Sequence, residues 1–524
     1  MLFTVLGYLE RAAIETPDRV ALVEGDHTMT FGELRSQVIK TANILATTRV
    51  EPGARIGICM EKTIEQVIAI LGVMWANAVF VPILPRLKTE NIEHIIANCG
   101  MSLVITDLGR LHEVSQAPSC PPIWIGVGEG ANTAHYPNLP ELRAATREIA
   151  PAFVRIPDDP AAIIYSSGST GRPKGITISH RNLFDGAQIV ASYTGALETD
   201  RIAGLLSFNF DYGLNQIWQT LLLRASLHLH EFLMPDNLFA FIEKHHITIL
   251  PVMPVFIANM FDRRLMRRGR TYDLSSVRCV TTSGGPVSDR MIADLREYFP
   301  SAEIFLMYGL TEAFRSTFLS PVELGRRPRS IGKAIPGVEI TVVDAEGNPC
   351  PPGVPGELVH RGGCMSLGYW RDEESNALRF RRHPTLHNQI LLYSGDEAYT
   401  DEDGFLYFIG RKDEMLKTRG YRVSPTEIEI VANRHSDIFT TVAFAIDEPT
   451  VTQEVCLAYI PKVADTFNEI AFSLFLKENL PSHMCPRHLV QLSEIGTTGN
   501  QGKFDRKQLV IDARRILQDR LDGR

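Results

Sequence analysis

The stretch YSSGSTGRPKGITISH at 165–180 carries glycines at 168, 171 and 175, hydroxyls at 166, 167, 169 and 170, and a lysine at 174. The apolar run AAIIY at 161–165 precedes it, and the alternation of Ile176 and Ile178 follows. Both flanks read as short strands, the second starting directly after Lys174 and Gly175, so the residues between them form a loop joining two strands. Glycine permits positive φ and close backbone approach, hydroxyls donate hydrogen bonds, and lysine adds a point positive charge. Ser166, Ser167, Gly168, Ser169, Thr170, Gly171 and Lys174 are therefore candidates for wrapping a polyphosphate. An ordinary hairpin turn would explain the glycines but not the hydroxyls and lysine beside them. The nearest rival, a GxxxxGK[ST] loop, needs lysine directly after glycine and a helix after that. Here Pro173 precedes Lys174 and a β-branched run follows, so no helix N-terminus stands ready for the phosphate.

A chain of 524 residues is too long for one core and predicts two to four structural units. Its formal charge of −8 and pI near 6.0 argue against nucleic acid as a partner. Basic clusters such as 263–268 and 379–382 then read as solvated faces. The eight cysteines are scattered, with no CxxC pair and no metal-ligand spacing, as expected of reduced thiols in a cytoplasmic protein. The N-terminus lacks a basic region and carries acids, which favours an amphipathic helix over a signal peptide. The apolar run 67–84 is interrupted by Gly72, Asn77 and Pro82, so a buried helix followed by a strand is expected there, with no membrane span.

Up to about residue 150, strands at 20–23, 55–60 and 103–106 alternate with helices at 30–45 and 64–76, an α/β layering. The proline-rich, acidic 151–160 is a connector, and 180–193 is a helix. Next comes LLSFNFDYGLNQIWQTLLL at 205–223, in which leucines flank a polar knot holding Asp211 and Asn215. Asp211 could simply cap the helix that follows it. TTSGGP at 281–286 ends a strand with a glycine pair, either a plain strand-to-helix turn or a surface on which a flat ring can lie. Glycine and proline rise over 331–370, which reads as a small β-rich unit. Beyond about 430, strands at 442–446 and 454–460 and a helix at 467–476 predict a small α/β unit.

YSSGSTGRPKG, MYGLTEAFRS (307–316), YSGDEA (393–398), GFLYFIGRKDEMLKTRGYRVSPTEIE (404–429) and TTGNQGKFDRK (497–507) occur in an order that resembles the AMP-forming adenylating superfamily. This family includes acyl-CoA synthetases, the adenylation domains of nonribosomal peptide synthesis, and luciferases. Within it the chain looks most like stand-alone acyl- or aminoacyl-AMP ligases, including those linked to exosortase systems. The resemblance implies an α/β fold: a large N-terminal domain of layered α/β subdomains plus a β-rich subdomain, over 1–412, and a small mobile α+β C-terminal domain over 413–524. It implies MgATP as a substrate and a phosphopantetheine thiol, on a carrier protein or as coenzyme A, as acceptor. Any carrier protein is expected to act in trans.

The same resemblance assigns roles. The signature loop would hold the β- and γ-phosphates, Ser283, Gly284 and Gly285 would pack against adenine, Tyr308 would stack on it, and Gly309 would belong to the same ATP site. Thr311 would contact phosphate, and Glu312 would hold Mg²⁺, which suits a hard carboxylate oxygen. Asp396 would accept both ribose hydroxyls and Arg411 would contact ribose or phosphate. In the amino-acid-activating members an F-D aspartate pairs with the substrate ammonium, and FNFDYG matches it at Asp211. Tyr212, Asn215 and Arg315 would complete the carboxylate pocket, although Arg315 could instead lie on its rim or pair with Glu312. Asp413 would be the hinge, Lys417, Gly420 and Arg422 a loop facing the thiol tunnel, and Lys503 the catalytic lysine. The chain departs from the common pattern by one extra residue before Gly502. The function implied is adenylation of a carboxylic acid, an amino acid by the Asp211 reading, with transfer to a thiol. The alternatives are an acyl-CoA ligase for an acid without an amino group and a nucleotide-binding scaffold without catalysis.

Overall fold

The computed structural model describes residues 3–48, 50–85, 87, 89–107, 124–127, 137–167, 172–261, 271–412, 414–418, 421–448, 452–492 and 506–521. Two large sheets dominate. The first has seven strands in the order Gly368–Tyr369, Pro173–Ser179, Pro160–Ser167, Val79–Pro82, Arg55–Cys59, Leu103–Asp107 and Trp124–Val127. Its last five strands run parallel, and Pro160–Ser167 and Pro173–Ser179 form the antiparallel hairpin that carries the signature loop. The second has nine strands, with the hairpin Glu303–Leu310 and Ala313–Leu319 toward one edge.

Helices Phe31–Thr47, Ile64–Trp75, His180–Thr194 and Asp211–Leu223 share one apolar core with residues of both sheets, including Phe80, Ile164, Trp218 and Phe314. Ile64–Trp75 is buried on almost every face, as a helix apolar all round must be. The apolar run 67–84 is thus a buried helix and the strand Val79–Pro82, and among the described residues no helix is long and apolar enough to cross a membrane. Local chemistry sets the starts: Thr30 and Glu33 form a reciprocal capping box, and Thr63 caps Ile64–Trp75. Asn77 has φ +62, the left-handed region that glycine and asparagine tolerate best. Its side chain donates to Ala152 O and accepts from Val154 N, both at 2.8 Å, tying the connector to the first sheet.

The β-rich unit is a five-stranded antiparallel sheet built on Gly356–Gly362 and Ile390–Thr400, with Leu406–Arg411 paired to the latter. The C-terminal part holds the strands Ile438–Glu448, Thr452–Pro461 and His488–Gln491 and the helices Pro425–Ala432, Glu469–Asn479 and Arg506–Leu521. Two apolar clusters there draw only on residues from Leu416 onward. The helix expected over 467–476 begins later, at Glu469, because Asn468 caps it after a short 3₁₀ turn at Ala464–Thr466.

Among the described residues, His180, His228 and His360 are buried as neutral rings. Burial pushes His180 and His360 down to about 4 and His228 down to about 3. In the unfolded chain such rings titrate near 6.5. The folded form therefore binds fewer protons between those values, so stability is full above that pH and is lost as pH falls toward 4. Unfolding by denaturant at pH about 5 is expected to give a free energy lower than at pH about 7.5, by roughly 1–2 kcal/mol per histidine. Equal values at the two pH settings would contradict neutral burial.

Candidate active site

Three side chains from three separate stretches meet at one point. Tyr308, near the end of Glu303–Leu310, donates its phenolic proton to Asp396 Oδ2. Arg411 Nε lies 3.3 Å from Asp396 Oδ1, an ion pair between backbone-paired neighbours of two strands. Asp396 lies inside the strand Ile390–Thr400, where Ser394, Gly395 and Asp396 bulge opposite Leu358. A bulge re-aims the side chains it carries, and Gly395 meets its demand for left-handed backbone with φ +72. Burial pushes the Asp396 carboxyl up against the opposing pull of Arg411, and burial with Asp396 alongside pushes the Tyr308 phenol up. Oδ1 of Asp396 is enclosed and accepts no hydrogen bond, an acceptor left for hydroxyl donors such as those of a ribose. Among the described residues the site thus fits a nucleoside.

Thr311 and Glu312 form the tip of the hairpin between Glu303–Leu310 and Ala313–Leu319, not a helix start. Tyr369 donates to Glu312 Oε1 at 2.6 Å, and burial together with this carboxylate pushes the Tyr369 phenol up. One carboxylate oxygen of Glu312 is thereby fixed while the other can face a hard cation, so Glu312 fits a Mg²⁺ shared with phosphate oxygens.

Lys174 was expected within the loop. It lies on the strand Pro173–Ser179, opposite Ser166, because the pairing of the hairpin takes in three residues before Ile176 that the sequence pattern leaves in the loop. Its ammonium is 3.0 Å from Asp372 Oδ2, donates to Ser375 Oγ, and sits 5.8 Å above the Tyr369 ring. Asp372 also caps the helix Glu373–Arg379 by accepting from Ser375 N at 3.0 Å, and Ser375 Oγ donates to it at 2.7 Å. Burial raises the Asp372 carboxyl, but these bonds and the Lys174 ammonium outweigh it and hold it below the usual range. Gly168, Ser169, Thr170 and Gly171, and the side chain of Ser167, lie outside the described residues.

On the acid side, Asp211 is the first residue of Asp211–Leu223, and Phe210 holds the cap position without a side-chain bond. The capping alternative is therefore not realised, although an acid in the first turn still favours the helix dipole. Asp211 Oδ2 lies 3.9 Å from Arg315 Nη1, with the Asp211 side chain 15% exposed and that of Arg315 3% exposed. Arg315 thus meets Asp211, not Glu312. Its guanidinium lies 4.9 Å from the centre of the Tyr212 ring, whose hydroxyl is spent on Thr281 O and Oγ1 at 2.7 Å. Asn215, one turn after Asp211, is buried with an unmet Oδ1.

Ser283 is buried at the end of Cys279–Thr282, and Gly284 takes φ +90. Gly284 and Gly285 border a cavity of about 500 Å³ whose other wall includes Glu429 and Arg506. Lys417 and Arg422 are paired neighbours in the hairpin Leu416–Thr418 and Tyr421–Val423, their side chains outside the described residues. Asp413, Gly420 and Lys503 also lie outside them. Tyr369, Asp372 and Ser375 escaped the sequence reading. The D-x-x-S spacing of the last two marks a helix start, but nothing in it announces Lys174 as a partner.

Residues 9–370 match the model of the family described as AMP-binding enzyme. The chain is 29% identical over 515 residues to surfactin synthase subunit 2 of Bacillus subtilis, covering 97% of this chain and 14% of that protein. It is 28% identical over 510 residues to tyrocidine synthase 1 of Brevibacillus parabrevis, covering 95% of this chain and 44% of the other. The chain therefore spans less than half the length of these relatives. Among solved structures it is similar to a benzoate CoA ligase from Burkholderia xenovorans, with 25% identity, a TM-score of 0.85, and 97% and 100% of the two chains covered. The fold also matches an anthranilate CoA ligase in complex with anthranoyl-AMP, with 24% identity, a TM-score of 0.88 and 98% of each chain covered.

Proposed function

The chain belongs to the AMP-binding enzyme family, an AMP-forming ligase by that membership, and from this premise we propose that it adenylates an amino acid and passes the acyl group to a phosphopantetheine thiol. Asp211 carries the amino-acid reading: a part-exposed carboxylate at a helix start, with one 3.9 Å contact to Arg315 and capacity left for an ammonium. In the first step a carboxylate oxygen of the substrate attacks the α-phosphorus of ATP, and the bond to pyrophosphate breaks. Asp396 orients the ribose while Tyr308 stacks on adenine, Lys174 leaves Asp372 for the departing phosphates, and Lys503 neutralises charge developing on the carboxylate and α-phosphate. Glu312 would hold Mg²⁺, which when bound offsets the negative charge of the phosphate oxygens.

In the second step a thiolate attacks the acyl carbon, a thioester bond forms, and AMP leaves. A lysine serving the first step must clear the thiol's approach in the second, so on this proposal the unit beyond residue 412 rotates about Asp413 and brings Lys417, Gly420 and Arg422 to the site. Two supports for such a unit are its own apolar clusters and the position of Arg506, three residues after Lys503, on the cavity bordered by Gly284 and Gly285. We place the acceptor thiol on a carrier protein.

A second reading, an acyl-CoA ligase for an acid without an amino group, has the Asp211–Arg315 contact in its favour, since Arg315 gives Asp211 a partner within the chain. ATP–pyrophosphate exchange over a panel of amino, fatty and aromatic acids separates the two. Exchange confined to amino acids is expected; exchange with only non-amino acids would sink the first reading. Thioester assays with coenzyme A and with a phosphopantetheinylated carrier protein then identify the acceptor.

A further inference from the structure

We infer that the acid taken by this site carries a second anionic group, and that Arg315 is the residue that reads it. The inference rests on the adenylation reading but not on the ammonium assigned to Asp211.

Arg315 stands on the strand Ala313–Leu319, three residues along the chain from Glu312, and is 97% buried. Guanidinium offers five N–H donors and cannot shed its charge. Among the described residues those donors meet one weak acceptor, Asp211 Oδ2 at 3.9 Å, while Nε and Nη2 meet none. The rings of Tyr212 and Phe314, 4.9 and 5.7 Å from the guanidinium carbon, suit its faces but accept no in-plane hydrogen bond. Tyr212 cannot turn its hydroxyl to help, because that hydroxyl is bound to Thr281.

A purely structural arginine would be expected to find carboxylates or carbonyls for its fork, as Arg506 does with Glu429 and Ala443 O. Arg315 has no such set, and the helix that brings Asp211 and Tyr212 to it carries further unmet polar atoms one turn on: Asn215 Oδ1 and both side-chain atoms of Gln216. A buried polar group without a partner marks a place where one is missing. What is missing at Arg315 is an anion.

Charge matching narrows the class. The carboxylate that reacts is drawn to the phosphates, so it is not free for Arg315. Asp211 and Arg315 together carry no net charge and offer one negative and one positive site side by side. An acid with an ammonium and a second carboxylate fills both, and one with a neutral side chain leaves the guanidinium unmet. Arg315 thereby sets specificity by penalising acids that lack the second anion.

The test is ATP–pyrophosphate exchange with acids of four- and five-carbon backbone in four matched forms: glutamate, glutamine, glutarate and glutaramate for five carbons, and aspartate, asparagine, succinate and succinamate for four. Each second carboxylate is thus compared with its isosteric amide. At one backbone length at least, kcat/KM for the second-anion acid is expected to exceed that of its amide by roughly 10²-fold. Arg315→Met should erase that ratio through KM for the acid, with KM for ATP and the melting temperature unchanged, and Arg315→Lys should restore part of it. Should Arg315→Met fail to fold, the wild-type ratios and the lysine variant still decide. Amides taken as well as their acids, or a ratio that survives Arg315→Met, would overturn the inference. If glutarate or succinate outperforms its amino counterpart while the anion preference holds, the ammonium reading of Asp211 fails and Arg315 keeps its role.

Discussion

Asp211→Ala is expected to lower amino-acid-dependent pyrophosphate exchange by roughly 10²- to 10³-fold in kcat/KM, with KM for ATP little changed. The size follows from what the substitution leaves behind. Removing one member of a desolvated charge pair costs about 2–5 kcal/mol, much of it for stranding the other charge. Here two charges lose a partner, the substrate ammonium and Arg315, whose only acceptor among the described residues is Asp211. Asp211→Asn separates them: it keeps a side-chain oxygen for hydrogen bonding but removes the charge, so it should recover little for amino acids. Deaminated analogues should lose far less with either variant. An unchanged rate with amino acids would remove the ammonium from Asp211 altogether.

Lys503→Ala should produce a loss confined to one half of the reaction. Withdrawing one electrostatic contact to the charge that develops in an acyl-transfer or phosphoryl-transfer step costs roughly 10² to 10³ in rate. Adenylation, followed by pyrophosphate release, is expected to fall by that factor. Thioester formation from a supplied acyl-adenylate should fall less than about threefold, because in that step the lysine has withdrawn. The extra residue before Gly502 makes this a real test of the loop, since a misplaced lysine would give a wild-type rate already as low as the variant's. Equal losses in both half-reactions would argue against domain rotation.

Much of the layering was readable because it rests on local signals. Thr30 with Glu33, the apolar face of 64–76, and the alternation at 176 and 178 each act within a few residues. The hairpin that flanks the signature loop was readable from its apolar runs, and the family by the order of its motifs. The convergence of Tyr308, Asp396 and Arg411 was not, because it joins residues 88 positions apart through a bulge that only the sheet pairing creates. Lys174 illustrates the same limit: its partner Ser375 lies 201 residues away, on a helix whose start was visible but whose neighbour was not. The pairing of Asp211 with Arg315 was open between several outcomes in the sequence, since a long side chain on a strand can point at more than one neighbour. Packing against Tyr212 selects among them.

The two charged groups expected at the phosphates are each held by the segment that follows Gly368. Tyr369 binds Glu312, and Asp372 with Ser375 binds Lys174. On the proposed function, arrival of a nucleotide would therefore exchange partners instead of supplying them to naked charges. An exchange of this kind yields less affinity than the same contacts made from nothing, but it works in both directions. When pyrophosphate and AMP leave, carboxylate and ammonium have somewhere to return, so emptying the site does not strand either. In the proposed reaction the segment would act as a placeholder, giving up tight holding of the nucleotide in return for readiness for another turnover.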